Sequence, residues 1–561
     1  MKKTDILLCT LNSTYQHSSF GLRYLKANLE ELADSCTILE GTLKENPRQF
    51  VEKILSFNAP IVGFSVYIWN TVQTLETIMI LKKVSPETVI VLGGPEISYE
   101  TASQPHLKWC DYIIQGEADF SFRELCRKLL TEPGPEPVRA SPTGFAPDDT
   151  GLSTITFESG VAPVAEARTG SGPGTVQVIG PSLPEIKQVK MPYSLYTDDD
   201  IKNRVIYVEA SRGCPYKCEY CLSSLDKSVR SFDLDQFLGE MKTLLDRGVR
   251  QFKFVDRTFN LSPTTSTRIL QFFLDHISLG LFLHFELVPD RLPAEIRELI
   301  QKFPEASLQF EIGIQTLNPE VAKNVSRKND LVKVEENFKF LREHTHVHTH
   351  ADLIVGLPGE TFESFGAGFD QLAKYGPDEI QVGILKRLKG TPISRHDLNF
   401  KMIYSDMQPY QILSTSTMDY VTLQKMNRFA KFWDLYANSG EFKNFMLWLK
   451  QTDSLFDRFF KLSEHLSLQF TETHSLSLMS LAEQAWLYML KSGVDEETAA
   501  AIIEKDFCFG AKRRDKPVFL KKTEPKIKQP QEGVENSLAQ RQLKHLNLST
   551  TSPIISLSDK F

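Results

Sequence analysis

The sequence predicts an α/β protein with a doubly wound parallel sheet at its N-terminus, an open barrel of six strand–helix units, and an α-helical C-terminal domain. Three observations lead to this fold class. Short apolar runs alternate with helical patterns over residues 1–130, six further strand–helix units follow within residues 191–395, and residues 396–510 carry Phe, Trp and Leu at helical spacing.

Residues 1–130 are predicted to form strands at 5–12, 35–39, 60–67, 88–94 and 112–114, and helices at 20–32 and 72–84. Residues 112–114 are expected to form the last edge of the sheet. Ligands of such sheets bind beyond the carboxyl ends of the strands. No dinucleotide Gly-x-Gly-x-x-Gly motif is present. The turns at these ends carry the candidate ligand residues Asn12, His17, Ser65, Tyr67, Gly93, Gly94, Glu96 and Glu117.

Two segments lack regular patterns. Residues 131–190 are rich in Pro, Gly and Ser, too densely punctuated for helices or strands, and are predicted to form a flexible linker. Residues 511–561 are predicted to be a basic, largely irregular tail, because residues 512–528 hold eight basic and two acidic side chains. Residues 541–545 are expected to be ordered enough to dock back.

The barrel is predicted from strands at 205–208, 251–255, 281–287, 307–312, 348–355 and 379–385, with helices at 234–245, 265–277, 294–303, 331–342 and 362–374. Five crossovers and six strands are too few for a closed eight-stranded barrel. The strand ends are polar, and buried carboxylates there need ligand or ion-pair partners. A purely structural ion-pair network is the alternative for Asp256, Arg257 and Glu286.

Three cysteines follow the first barrel strand at spacings of four and three positions: Cys214, Cys218 and Cys221. Gly213 and Pro215 favour a tight loop, on which three thiolates can converge. A structural zinc site closes with four protein ligands, whereas an iron–sulfur cube held by three cysteines keeps one iron open. The alternatives are a zinc knuckle that borrows a distant His, or three unconnected thiols.

Composition limits the class of protein. The net charge of −7, from 64 basic and 71 acidic residues, does not indicate a nucleic-acid partner. No apolar run reaches the roughly 18–20 residues of a membrane span, and the start lacks a signal peptide's apolar core. Eight cysteines in 561 residues suggest a reduced compartment. The expected location is cytoplasmic, without a membrane partner.

The cysteine spacing, with the aromatic Tyr220 before the last cysteine, resembles the radical S-adenosylmethionine (SAM) signature. That resemblance implies a 4Fe-4S cluster on Cys214, Cys218 and Cys221 that chelates SAM. The segments Glu-Ile-Gly-Ile-Gln at 311–315 and Gly-Leu-Pro-Gly-Glu at 356–360 resemble the family's SAM-contacting strands, with Glu286 and Glu311 holding ribose or amino groups and Arg327 the carboxylate. The implied SAM contacts are Tyr220, Asp256, Glu286, Glu311, Gln315, Arg327, Ile354 and Gly356.

The N-terminal part resembles the cobalamin-binding domain of cobalamin-dependent radical SAM enzymes, whose Gly-Gly loop embraces the nucleotide tail. Residues 12–19, 428–434 and 438–440 resemble the branch of that class that bears a C-terminal DUF4080 domain. The Asp-x-His-x-x-Gly motif that supplies a histidine to cobalt is absent. A ligand-free structural domain is the alternative.

The resemblance implies a cobalamin-dependent radical SAM enzyme that methylates an unactivated carbon of an unknown substrate. A 5′-deoxyadenosyl radical would take hydrogen from the substrate, and methylcobalamin, between the two domains, would deliver the methyl group. An electron donor such as flavodoxin or ferredoxin is implied. The alternatives are a cyclase or rearrangement enzyme using cobalamin for electron transfer, a methylthiotransferase with a second cluster on Cys9, Cys36 and Cys110, and a non-enzymatic cobalamin sensor. No catalytic side chain is assigned.

Overall fold

The computed structural model describes residues 3–131, 176–470, 476–507 and 517–520. The chain divides into two compact units. One holds the residues up to Tyr207 together with Asp235–Val249, and the other holds Val208–Leu234 and the residues from Arg250 onward.

The first unit is built on a six-stranded sheet with the order β2-β1-β3-β4-β5-β6. All of its neighbouring strands are parallel. The order reverses between β1 and β3, and in such sheets ligands bind at this switch point, beyond the carboxyl ends. The strands are β1 (Ile6–Asn12), β2 (Cys36–Thr42), β3 (Ile61–Ser65), β4 (Val89–Gly93), β5 (Tyr112–Gly116) and β6 (Gln177–Ser182).

Helices cover this sheet and bury two separate hydrophobic clusters. Alternate residues of β1 enter different clusters, Leu7, Cys9 and Leu11 one of them and Ile6 and Leu8 the other, because successive side chains of a strand point to opposite faces. The helices of this unit are α1 (Phe20–Ala27), α2 (Pro47–Ser56), α3 (Thr71–Val84), α4 (Pro95–Ser98), α5 (Ser121–Thr131), α6 (Asp198–Asn203) and α7 (Leu234–Asp246).

The edge of the first sheet differs from the prediction. The strand β6 lies beyond β5, so 112–114 is not the edge, and an irregular linker as far as residue 190 is wrong for the stretch that forms this strand. Val176 and Val178 pack against the sheet's hydrophobic core, which a run of alternating apolar residues allows despite nearby Gly and Pro. The rest of the predicted linker, residues 132–175, lies outside the described residues.

The second sheet also has six strands, in the order β14-β13-β12-β11-β10-β7. The pairs from β10 to β14 are parallel, and the predicted open arrangement of six strands is confirmed. A separate two-stranded ladder forms between β8 and β9. The strands are β7 (Ile206–Val208), β8 (Ser211–Arg212), β9 (Arg230–Ser231), β10 (Gln251–Phe254), β11 (Phe282–Leu287), β12 (Leu308–Gln315), β13 (His348–Val355) and β14 (Glu379–Ile384).

The helices between these strands are α8 (Pro263–Asp275), α9 (Ala294–Ile300), α10 (Pro319–Asn324), α11 (Leu331–His344) and α12 (Phe362–Tyr375). Two features were not predicted. The strand β12 continues three residues past position 312, and the short helix α10 follows it. Asn318 caps α10 by accepting hydrogen bonds from the first helical N–H groups, and Pro319 at the first helical position supports this start.

The described C-terminal region is mainly helical, as predicted, but it opens with a small hairpin of β15 (Ile403–Tyr404) and β16 (Ile412–Ser414). Asn438, just after α13, bonds both backbone groups of Ile380 on β14 and so holds this region against the barrel. The predicted tail and residues 541–545 lie outside the described residues, except for 517–520. The helices are α13 (Tyr420–Trp433), α14 (Lys443–Leu449), α15 (Leu455–Gln469), α16 (Leu478–Lys491) and α17 (Glu496–Phe507).

Candidate cluster and cofactor sites

The cysteine loop begins just after β7 ends. The ladder of β8 and β9 holds the two ends of the loop together. Gly213 has φ +93°, and a Cβ there would lie 1.8 Å from the Ser228 carbonyl oxygen, so only glycine fits. The next residue, Cys214, donates its N–H to the Asp226 carbonyl oxygen at 3.1 Å. The far end is held by Ser224, whose hydroxyl donates to the Cys218 carbonyl oxygen at 2.8 Å. The loop is therefore fixed at both ends.

All three cysteines line one cleft in the second unit, which encloses about 780 Å³ of space, part of it open to solvent. The cleft brings together eight of the residues predicted for the cluster and SAM: Cys214, Cys218, Tyr220, Cys221, Glu286, Glu311, Gln315 and Arg327.

The donor set fits an iron–sulfur cube that takes three cysteine ligands and leaves one iron open. A cube is ligated at three of its corners, so its cysteine sulfurs stand further apart than the ligands of one ion. Burial raises the pKa of Cys214, and the nearby Cys218 and Cys221 thiols raise it further, so the thiolates gain from a positively charged partner.

Arg327 reaches the cysteine loop from the segment after α10. Its guanidinium donates to the Cys218 sulfur at 3.4 Å, to the Tyr220 hydroxyl at 3.2 Å and to the Gly313 carbonyl oxygen. Burial alone would lower its pKa, but the tyrosine and the cysteine raise it overall, so the side chain stays charged. A half-buried, permanently charged cation beside the cysteines suits a carboxylate ligand.

Three carboxylates also line the cleft, from β11, β12 and β13. Arg257 donates to both oxygens of Glu286, at 2.9 and 3.1 Å. His284 Nε2 lies 3.0 Å from Glu311 Oε2, and the Lys253 ammonium lies 3.9 Å from the same oxygen. Burial alone would raise the pKa of Glu311, but these two partners bring it below its usual range. Glu311 is therefore ionised.

Asp352 is the third carboxylate, and its environment differs. Burial, followed by the charges of Glu311 and Glu286, raises its pKa well above the usual range. One of its oxygens has no hydrogen-bond partner, and His350 lies 3.6 Å away. A group of carboxylates that repel one another favours a cationic ligand.

Asp352 and Lys253 were not among the predicted contacts. The signal that could have found them is the two-residue alternation of polar side chains along the strands, which places one set of residues on the inner face of the sheet. The inner-face residues that follow this alternation are Lys253, His284, Glu286, Glu311, His350 and Asp352.

Three predicted SAM contacts do not line the cleft: Asp256, Ile354 and Gly356. Asp256 is buried behind the cysteine loop, where it accepts hydrogen bonds from Ala210 N–H at 3.0 Å and from the Ser211 hydroxyl at 2.6 Å. Asp256 therefore has a structural role through hydrogen bonds from neutral groups, whereas the ion pair of the structural alternative lies between Arg257 and Glu286. Gly356 has φ +86°, and a Cβ there would lie 2.7 Å from the side chain of Ile412, which gives the glycine a packing role.

In the first unit, the predicted Gly-Gly turn follows β4. Gly93 accepts a hydrogen bond from Val66 N–H at 2.8 Å, and Gly94 has φ +105°. A Cβ on Gly94 would lie 2.6 Å from the Val66 carbonyl oxygen, so the turn requires glycine to approach the neighbouring strand end. Next to it, Glu96 is buried, and its N–H donates to the same oxygen at 3.3 Å.

The other predicted cobalamin residues lie at the same strand ends. Asn12 is buried and donates to the His17 carbonyl oxygen at 2.8 Å. Ser65 ends β3, and Tyr67 stacks on Trp69 with ring centroids 4.4 Å apart. Glu117 directly follows β5. The switch point of the sheet therefore presents polar backbone and an aromatic pair of which Trp69 is exposed and Tyr67 half-buried.

The second-cluster alternative is contradicted by the positions of the remaining cysteines. Cys9 and Cys110 belong to one hydrophobic cluster of the first sheet, and Cys36 and Cys126 belong to the other. Burial raises the pKa of Cys36 and of Cys110 to about 12. These thiols are core residues. Cys508 lies outside the described residues.

Comparisons with known families match three parts of the chain. The B12 binding domain matches residues 6–126, the radical SAM superfamily residues 208–372, and the protein family of unknown function DUF4080 residues 398–555. The DUF4080 match continues through most of the segment predicted to be a separate tail.

Individual relatives agree with these matches. The cobalamin-dependent radical SAM methyltransferase TokK of Streptomyces tokunonensis is 23% identical over 58% of this chain and 47% of its own length. A 2-(S-pantetheinyl)-carbapenam-3-carboxylate methyltransferase of Streptantibioticus cattleyicolor is 22% identical over 60% of this chain and 48% of its own. The chain spans about half the length of these curated relatives.

The fold is shared with the solved cobalamin-dependent SAM radical enzyme OxsB, at a TM-score of 0.56 and 14% identity, over 90% of this chain and 80% of that one. No helix within the described ranges has the length and hydropathy needed to cross a bilayer. The order of the three family matches along the chain agrees with the two sheets and the helical region. The chain therefore carries a radical SAM superfamily domain, preceded by a B12-binding domain and followed by a DUF4080 region.

Proposed function

We propose that this chain is a cobalamin- and SAM-dependent radical enzyme that methylates an unactivated carbon of its substrate. The observation that carries the proposal is the cleft lined by three cysteines, an arginine and three carboxylates, in a chain that also has a B12-binding domain. When bound, the cluster with SAM supplies a 5′-deoxyadenosyl radical and cobalamin supplies a methyl group.

Different residues of the cleft bind the cluster and the charged groups of SAM. Cys214, Cys218 and Cys221 hold the cluster. Arg327 is placed to bind the carboxylate of SAM, because its charged guanidinium lies beside Cys218. The carboxylates match the positive groups of SAM, its ammonium and sulfonium, since adding a cation relieves the repulsion among Glu286, Glu311 and Asp352.

Methyl transfer is preferred over the cyclase or rearrangement alternative because TokK and the carbapenam-modifying relative are both methyltransferases. The three cysteines and the charged residues that line the cleft argue against a cobalamin sensor with a decayed barrel. One-electron reduction of the cluster needs a donor, and we propose a protein of the flavodoxin or ferredoxin type. The substrate stays unassigned.

The test is anaerobic reconstitution of the full chain with iron and sulfide. We expect about four irons per chain and cleavage of SAM to 5′-deoxyadenosine under strong reductant. Replacing Cys214, Cys218 and Cys221 with Ala should remove both, whereas Cys110→Ala, in the first sheet's core, should leave iron binding intact. Zinc at this site, or an unchanged iron count in the triple variant, would contradict the proposal.

The methyl-transfer part needs a separate readout. With cobalamin bound and reductant present, SAM should yield one equivalent of S-adenosylhomocysteine per cobalamin, measured by chromatography. If 5′-deoxyadenosine forms and S-adenosylhomocysteine never does, the cyclase or rearrangement alternative is supported.

A further inference from the structure

Glu219 stands between two of the cluster cysteines and has no part in the function proposed above. Its side chain is only 4% exposed, yet it is surrounded by hydrogen-bond donors. The Ser326 hydroxyl and the Arg395 guanidinium both donate to Oε1, and His396 Nε2 lies 2.9 Å from Oε2. A buried carboxylate with three polar partners on distant segments is costly to assemble, so a positional role is expected.

One side of this arrangement pins the cysteine loop to the segment after α10. The Glu219 N–H donates to the Val325 carbonyl oxygen at 3.2 Å, and Arg327 contacts the Cys218 sulfur. Between them, Ser326 has φ +55°, the left-handed region that is unfavourable for serine. The hydrogen bond to Glu219 holds Ser326 in this backbone conformation. It therefore also fixes the direction in which the Arg327 side chain leaves the backbone.

The other side joins the loop to the chain after the last barrel strand. Arg395 and His396 belong to a short 3-10 helix, Pro392–His396, which follows β14 and directly precedes the DUF4080 match that starts at residue 398. Arg395 also donates to the Asn324 carbonyl oxygen at 3.4 Å. Glu219 therefore connects the cysteine loop to the start of the C-terminal region.

We propose that Glu219 is a positioning residue for the cluster, and that its pairing with Arg395 sets the cluster's reduction potential. The inference rests on the proposed function. The potential of an iron–sulfur cluster depends on charges and hydrogen bonds near its sulfurs. A nearby negative charge opposes the addition of an electron and a positive charge favours it, so the carboxylate and the guanidinium act in opposite directions.

The experiment compares Glu219→Gln and Arg395→Gln in the reconstituted full chain, by redox titration monitored with electron paramagnetic resonance. Glu219→Gln should raise the midpoint potential, because it leaves the guanidinium unbalanced. Arg395→Gln should lower it, by a smaller amount, since the Arg395 side chain is 58% exposed and partly screened. Iron content per chain is measured on the same samples.

Two control variants distinguish the effect of side-chain charge on the midpoint potential from that of side-chain shape. Glu320→Gln removes an exposed carboxylate from the first turn of α10 and should leave the potential unchanged. Arg395→Lys keeps the positive charge, so its midpoint potential should stay close to that of the wild type. If Glu219→Gln holds no iron, Arg395→Gln and Arg395→Lys still decide the question.

Potentials that stay fixed, or shift in the same direction in both Gln variants, would overturn the inference even where iron binding is normal. A wild-type chain without a redox-active cluster would instead contradict the proposed function itself. The two failures are therefore distinguishable.

Discussion

Asp256 shows how one buried side chain supports the site without touching it. Burial raises its pKa to about 7 from the usual 3.8, and the hydrogen bonds from Ala210 and Ser211 only partly oppose this. The folded chain keeps a proton that the unfolded chain releases above about pH 4. Its contribution to stability is therefore present below about pH 4 and is lost as the pH rises through about 7.

Asp256→Asn should remove this pH dependence. Relative to the variant, the wild type should lose up to about 4 kcal/mol of unfolding free energy between about pH 4 and pH 7, since one pKa unit corresponds to 1.36 kcal/mol. Urea unfolding of both chains across this range measures the difference. Asp275→Asn, at an exposed position, is the control and should show no such trend. A difference that stays constant with pH would contradict the prediction.

At the scale of elements, the ladder of β8 and β9 determines where the cysteine loop starts. Its turn depends on Gly213, where a Cβ would overlap the Ser228 carbonyl oxygen. The cysteine spacing alone shows that three thiols are near in sequence. The ladder and the Cys214 hydrogen bond to Asp226 make them line one cleft.

Gly213→Ala should break this ladder and cost about 1–3 kcal/mol of local strain, so the reconstituted chain should lose most of its iron. Iron content and thermal unfolding measure the two effects. The matched control is Gly239→Ala in α7, where a Cβ meets no atom within 4 Å. That change should keep the iron and stabilise the helix by about 0.5–1 kcal/mol. Full iron loading in Gly213→Ala would refute the role of the ladder.

At the scale of the whole molecule, the B12-binding domain should hold cobalamin without a histidine on cobalt. Residues 1–130 contain two histidines, His17 and His106, and both have hydrogen-bond partners within the protein. His17 Nδ1 lies 2.5 Å from the Tyr207 hydroxyl, and His106 Nε2 lies 3.0 Å from the Thr71 carbonyl oxygen. Cobalamin held there without a protein nitrogen donor would be easier to reduce, because a donor ligand stabilises the oxidised metal.

The measurement is electron paramagnetic resonance of the Co(II) form bound to the full chain. We expect no nitrogen superhyperfine splitting in the wild type, in His17→Ala or in His106→Ala. Splitting that disappears in one variant would identify a histidine ligand, and splitting that survives both would identify the cofactor's own base. Either result would contradict the prediction.

What the sequence determined by itself is local or periodic. Strand–helix alternation predicted both parallel sheets, and the cysteine triplet with its flanking Gly and Pro predicted the loop, because these patterns depend on neighbouring residues. Eight of the eleven residues predicted for the cluster and SAM line one cleft. The three that do not were assigned by resemblance to strand ends, and the segments packed around those ends give two of them other contacts: Asp256 bonds Ala210 and Ser211, and Gly356 packs on Ile412.

Only the tertiary structure decided which distant groups meet. His284 and Glu311 are 27 positions apart, and Glu219 and His396 are 177 apart, so no local pattern relates them. The edge strand β6 likewise pairs with β5 across a long Pro- and Gly-rich stretch. Such pairings depend on the register of strands and on the burial that makes unpaired charges costly, and both exist only once the chain has folded.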